Sequence, residues 1–233
     1  MRARPVATAA PALLLAALPC LPLAGQQTID PRAYLMSDRV AEVALARSAA
    51  PGRIADSATV LVLTEGGYVR AAAGTDGFTC LVVRSFTAPL DDPDFGNPRI
   101  IAPHCFNAQA SRTTLQEILQ RSAWIMHGVP AAEVAARTRR WYAAGRFPAP
   151  APGAMAYMLS PRQSLSAEGS HWLPHLMFFY DQRRSDAAAF GAGDPPASPL
   201  LVATDDPDTP VMTLLIPVRR WSDGTPAPVD SLH

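Results

Sequence analysis

The spacing of apolar positions near the start of the chain predicts one helix. Asp30 suits an N-cap and Pro31 suits the first helical position, so a helix is expected to begin here. Apolar side chains then recur at helical spacing until Pro51 and Gly52 stop the pattern; they are Leu35, Met36, Val40 and Val43.

Three short strands are predicted next. The β-branched run 59–63 is followed by a Gly66-Gly67 turn, a return strand over 68–73, a second turn at 74–77 and a third strand over 78–85. In the third strand, alternation places Phe78, Cys80 and Val82 on one face and Thr79, Leu81 and Val83 on the other. Consecutive strands joined by short turns predict a meander.

The rest of the chain predicts two more helices and a second group of strands. An irregular acidic loop over 91–103 precedes a helix that begins at Ser111 or at Thr113 or Thr114 and ends at Gly128. A second helix begins at Pro130 and ends at Gly145, and the two form a helical hairpin. Strands are predicted over 154–159, from Leu173 or Leu176 to Tyr180, and over 200–204 and 211–218. This order predicts an α+β fold: a single antiparallel sheet with the helical hairpin and the N-terminal helix packed on it.

The first 25 residues are typical of a secretory signal peptide. Arg2 and Arg4 precede a short apolar core over 7–18, and Pro19 and small residues at Ala24 and Gly25 follow. We therefore expect a secreted or periplasmic protein whose residues 26–233 form a single α+β domain. Two alternatives remain: a lipoprotein acylated at Cys20, and an uncleaved anchor, although prolines interrupt the apolar stretch that an anchor needs.

Composition excludes several classes of function. The signal would take Arg2 and Arg4 from 20 basic side chains and nothing from 20 acidic ones, which leaves a charge near −2 with no basic run. We therefore expect no nucleic-acid partner and no stable membrane insertion after cleavage. The chain contains no lysine, which excludes a Walker A loop, a Schiff-base lysine and a Ser-x-x-Lys acyl enzyme. No G-x-G-x-x-G, G-x-S-x-G or H-E-x-x-H motif occurs.

The two cysteines that would remain after cleavage predict a disulfide. Cys80 and Cys105 are 25 residues apart, and exported proteins meet an oxidising environment. Two other interpretations stay open: Cys105 as a thiolate nucleophile beside His104, and the two sulfurs as metal ligands.

The segment 168–175 holds the best candidate site. Glu168, His171 and His175 lie close in sequence, and histidine and carboxylate are the usual ligands of zinc and related divalent transition metals. On a straight strand, His171 and His175 would stand about 13 Å apart, so shared ligation of one ion requires a bend at Leu173-Pro174. His104 is a third possible ligand if the disulfide brings it near. Structural histidines beside a core strand are the alternative.

Two further segments offer weaker candidates. Four side chains of the loop 91–97 carry oxygen ligands that suit calcium: Asp91, Asp92, Asp94 and Asn97. Their spacing departs from the EF-hand, and Asp-Pro turns explain the same residues more simply. Apolar side chains over 155–158 and 178–180 suit either an apolar ligand pocket or ordinary core packing.

Three segments of the sequence resemble segments of uncharacterised secreted bacterial proteins: 76–80 (DGFTC), 153–158 (GAMAYM) and 171–179 (HWLPHLMFF). The resemblance implies one exported domain and no particular activity. The leading hypothesis is therefore a non-catalytic extracytoplasmic domain that binds a small molecule or a protein. The alternative is a metal-dependent hydrolase with His171, His175 and His104 as ligands and Glu168 as general base.

Overall fold

The computed structural model describes residues 30–88, 92, 94–165, 172–192, 201–202 and 209–228. Its helices are α1 (Arg39–Arg47), α2 (Gly52–Ala55), α3 (Ala108–Arg112), α4 (Thr114–Met126) and α5 (Ala131–Ala143). Its strands are β1 (Thr59–Thr64), β2 (Gly67–Ala72), β3 (Thr79–Arg84), β4 (Ile101–Phe106), β5 (Met155–Met158), β6 (His175–Asp181), β7 (Leu201–Val202) and β8 (Val211–Pro217). The predicted signal peptide lies outside the described residues.

The strands within these ranges form one sheet in the order β2-β1-β3-β4-β5-β6-β8-β7. All neighbouring pairs are antiparallel except β1 and β3, which run parallel. The predicted α+β class is confirmed, with α1 packed on one face of the sheet and α4 and α5 forming the helical hairpin on the other side. In the described ranges no helix is long and apolar enough to cross a membrane.

The first helix begins later than predicted. Asp30 caps only a 3₁₀ turn over Pro31–Tyr34, by accepting a hydrogen bond from the backbone amide of Arg32. A second aspartate, Asp38, accepts from the amides of Val40 and Ala41 and starts α1 at Arg39. Two competing N-caps therefore divide what the apolar spacing alone predicts as one helix.

The predicted meander of the first three strands is wrong, because β3 pairs with β1 rather than with β2. After β2 the chain crosses close to the start of β1, where Gly74 donates to Oγ1 of Thr59 and the Thr75 amide donates to the Ser57 carbonyl. A Cβ on residue 74 would overlap the backbone of residues 57–59. Glycine at this crossing lets β3 emerge beside the other edge of β1 and run parallel to it.

Strand β4 occupies the end of a segment that the sequence predicts as an irregular loop. Pro103 argues against a strand at this position in the sequence, because proline inside a central strand removes a backbone hydrogen-bond donor. Here Ile101 exchanges two backbone hydrogen bonds with Ser164 on the edge of β4 away from β3. The nitrogen of Pro103, two residues on, faces that same edge, and β5 pairs with β4 only from Cys105 onward. The missing N–H of Pro103 therefore costs the sheet no backbone hydrogen bond.

The two faces of the sheet carry different cores. The α1 face packs around Val60, Val82 and the cysteines, and Cys80 lies directly opposite Cys105 in the β3–β4 register with 4.0 Å between their Cα atoms. A buried ion pair, Arg84 with Glu42 at 2.9 Å, joins this face to α1. The opposite face carries a larger core and, beside α4, the cavity described next.

Candidate functional site

A cavity of about 360 Å³ lies between the centre of the sheet and α4. Side chains of β4, β5, β6 and β8 form its floor, among them His104, Met158, His175, Met177 and Leu215. One side of α4 forms the opposite wall, with Thr114, Glu117, Ile118 and Arg121. An apolar cavity with a few polar groups on a rigid sheet is the usual form of a small-ligand site.

The structure brings together two of the predicted site residues. His104 on β4 and His175 on β6 both line the cavity; His175 is only 3% exposed, whereas His104 is half-buried. Glu168 and His171 lie outside the described residues, so their predicted roles as general base and metal ligand stay predictions. Among the described residues, no three histidine, cysteine or acidic side chains form a cluster that would hold a metal ion.

Strand register explains why these histidines share a face although they are 71 residues apart. Met158 of β5 pairs with His175 of β6, and β5 pairs with β4 through Tyr157 and Cys105. Continuing that register by one residue places His104 opposite Met158. Residues opposite each other on neighbouring strands point to the same side, so His104, Met158 and His175 form one row across the sheet.

Hydrogen bonds to the backbone hold both imidazole rings in one tautomer. Nδ1 of His104 lies 2.7 Å from the carbonyl oxygen of Ala102, and Nδ1 of His175 lies 2.8 Å from that of Leu173. Because a carbonyl only accepts, each Nδ1 carries the proton and each neutral ring keeps an unprotonated Nε2. Neither Nε2 has a hydrogen-bond partner among the described residues.

Burial keeps both rings neutral near pH 7. Burial, together with a smaller effect of the nearby His175, lowers the pKa of His104 to about 4, although the hydrogen bond to Ala102 opposes the shift. Burial likewise lowers the pKa of His175 to about 4. Aromatic neighbours pack against each ring: Phe106 stacks on His104 at 5.6 Å between centroids, and Trp172 meets His175 edge-on at 4.6 Å. Both rings are therefore available as acceptors or as metal ligands at neutral pH.

The charged groups on the α4 wall are bonded to one another. Arg121 donates to Oε1 of Glu117 at 3.2 Å and to the carbonyl oxygen of Ala88 at 2.7 Å. Oε2 of Glu117 accepts from the Tyr142 hydroxyl at 2.6 Å. These contacts connect α4 to α5 and to the segment that follows β3.

One polar atom at this wall lacks a partner. The hydroxyl oxygen of Thr114 is buried and makes no hydrogen bond in the described part of the chain. Buried polar groups in native proteins nearly always have a partner, which a bound water or ligand supplies where the protein does not. Thr114 lines the cavity, so a ligand or a water molecule bound there could supply the missing hydrogen-bond partner.

Several weaker candidates are resolved by the geometry. The predicted pairing of Cys80 with Cys105 is confirmed, and a bonded Cys105 cannot act as a thiolate nucleophile, so that interpretation is wrong. Asp91 lies outside the described residues. Two other members of the proposed calcium set bond locally: Asp92 accepts from the amide of Asp94, and Asp94 accepts from the side chain of Asn97, as turn residues do.

The apolar residues over 155–158 and 178–180 contribute only part of their number to the cavity. Alternation directs Met158 and Phe179 toward it and Met155 and Tyr157 away from it, and Met177, which the sequence does not single out, joins them. Alternation within each strand could have separated the two faces. The alignment of β4 with β5 and β6 could not be obtained that way, because β4 itself was not predicted.

Comparisons with known protein families, with curated proteins and with solved structures find no match to this chain.

Proposed function

We propose that the protein is a non-catalytic binding domain that works after export and takes a small ligand into the cavity between the sheet and α4. The observation that carries the proposal is the pair of neutral imidazoles, His104 and His175, whose Nε2 atoms are unprotonated and lack partners among the described residues. An apolar shell around two fixed acceptors is typical of a site that orients a ligand.

The arrangement of the site supports binding rather than turnover. Glu117, the carboxylate of the described cavity wall, already accepts from Arg121 and Tyr142, so it is poorly placed to take a proton from a substrate or water. The disulfide removes the cysteines as nucleophiles. Apart from hydroxyl groups such as that of Thr114 and the bonded Arg121, the described lining offers two neutral imidazoles, thioethers and apolar side chains.

Native mass spectrometry of the protein isolated from its export compartment tests the proposal. Ala102 lines the cavity, so Ala102→Leu fills part of it, whereas Ala144→Leu changes an exposed position beyond α5. We expect a small adduct, organic or metallic, on the wild type and on Ala144→Leu, and its loss from folded Ala102→Leu. A wild type without an adduct, or an adduct that Ala102→Leu retains, would contradict binding in this cavity.

A metal-dependent hydrolase is the competing proposal. It requires Glu168 and His171 to join His175 around one ion and to activate water. Hydrolytic turnover that disappears in His175→Gln, and that persists in the surface variant His127→Gln, would replace the binding proposal with this one.

A further inference from the structure

We propose that the ligand of this cavity is a copper(I) ion held by His104, Met158 and His175, an inference that rests on the binding function proposed above. The three side chains come from three neighbouring strands and form one row on the cavity floor. Two of the three ligands are imidazole nitrogens and the third is a thioether sulfur.

The position of the row sets a geometric condition on binding a single ion. Neighbouring strands lie about 4.8 Å apart, so the Cα atoms of His104 and His175 stand about 10 Å apart with Met158 midway between them. Metal–nitrogen bonds are about 2 Å long, so an ion above Met158 requires the two Nε2 atoms to come within about 4 Å of each other. The Nδ1 hydrogen bonds anchor each ring to its own strand, so ligation requires both rings to turn toward Met158 about these bonds.

The hydrogen bonds of the two rings match those of metal-binding histidines. Such residues usually donate from the nitrogen that does not bind the metal to a carboxylate or a backbone carbonyl, which fixes the tautomer and the ring orientation. His104 and His175 both donate from Nδ1 to a backbone carbonyl two residues earlier in the chain.

The chemistry of the row selects the ion. Thioether sulfur is a soft ligand that favours Cu(I), whereas divalent hard ions require carboxylates or carbonyl oxygens. The carboxylate of Glu117 is engaged by Arg121 and Tyr142, so it does not balance a second positive charge. Placing one charge rather than two in an apolar cavity costs less solvation free energy, which again favours Cu(I) over zinc.

The experiment is a competition titration with Cu(I) supplied as its bicinchoninate complex. The protein is isolated from its export compartment without an affinity tag, and ascorbate maintains Cu(I) anaerobically without a thiol reductant. Met158→Leu removes the thioether at nearly constant volume. Met155→Leu is the matched control, because it makes the same change on the same strand but on the face away from His104 and His175.

We expect one equivalent of Cu(I) on the wild type and on Met155→Leu, at least about tenfold weaker binding by Met158→Leu, and loss of binding in His104→Gln. X-ray absorption of the copper-loaded protein should show one sulfur and two imidazole nitrogens. Equal affinity in Met158→Leu, no sulfur at the metal, or tighter binding of zinc than of Cu(I) would overturn the inference.

The copper inference and the binding function can fail separately. If the wild type does not take Cu(I) from bicinchoninate but carries an organic adduct that Ala102→Leu loses, the copper inference is overturned and the binding function stands. If neither copper nor any adduct depends on the cavity, both are overturned.

Discussion

Acidification from pH 7.5 to 5.0 should destabilise this protein through His104 and His175. Burial lowers the pKa of each ring to about 4 in the folded state, while the same rings take their ordinary pKa of about 6.5 in the unfolded chain. Because the folded pKa values are depressed, the unfolded chain binds more protons between these limits. Stability is therefore complete above about pH 6.5 and falls as the pH drops toward 4.

The magnitude follows from the two pKa values. At pH 5.0 each ring is almost fully protonated in the unfolded chain and about one-tenth protonated in the folded protein, which costs about 2 kcal/mol per ring relative to pH 7.5. The two rings together cost about 4 kcal/mol. Native domains have a free energy of unfolding of roughly 5–15 kcal/mol. A loss of this size should therefore lower the urea midpoint measurably.

Urea unfolding followed by circular dichroism at half-unit steps from pH 7.5 to 5.0 measures the effect. Staying at or above pH 5 avoids the range in which ordinary carboxyl groups titrate. His104→Gln and His175→Gln should each remove about half of the pH dependence, whatever they do to stability at pH 7.5. His127→Gln, which alters an exposed histidine after α4, should leave the dependence intact. A free energy of unfolding that stays constant across the range would refute the assignment of buried, neutral rings.

Three further outcomes test the scaffold. Replacing Cys80 and Cys105 by alanine should lower the free energy of unfolding by about 3.5 kcal/mol in urea, because a 25-residue loop is no longer closed; an unchanged midpoint would contradict this. Glu42→Ala should cost about 3–5 kcal/mol by removing the carboxylate that balances the buried charge of Arg84, whereas Glu133→Ala, which breaks a largely solvent-exposed ion pair on α5, should leave the urea midpoint unchanged. Gly74→Ala should cost at least about 3 kcal/mol in thermal unfolding, because its Cβ overlaps backbone; near-wild-type stability would refute the tight crossing.

Local patterns predicted most elements of this fold. The β-branched run 59–63 locates β1, and alternation in the third strand assigns Cys80 and Leu81 to opposite faces, in agreement with the two cores. The pairing order could not be obtained in this way, because it depends on how the chain crosses at Gly74 and not on the apolar pattern of any strand. Strand β4 is not predicted because it contains Pro103. A strand tolerates proline only where the proline nitrogen faces an unpaired edge, which the sequence does not reveal.

The candidate site shows the same division. His104 and His175 were selected from their chemistry, and the structure places both at one cavity. The reason proposed for their proximity was the disulfide, whereas the actual cause is the β4–β5–β6 register, and the disulfide lies on the opposite face. Met158 could not be assigned to the site before that register was known. A site whose residues come from several strands can be identified only once the register between those strands is known.

Nitrogen-15 spectra of the histidine side chains at pH 7 test the central claim most directly. Single His→Gln variants assign the signals of His104 and His175. The account predicts two neutral rings protonated at Nδ1, with unprotonated Nε2 signals that shift together when Cu(I) is added or when the native ligand is retained. Rings protonated at Nε2, or imidazolium signals at pH 7, would contradict the claim that this cavity presents two acceptor nitrogens to a ligand.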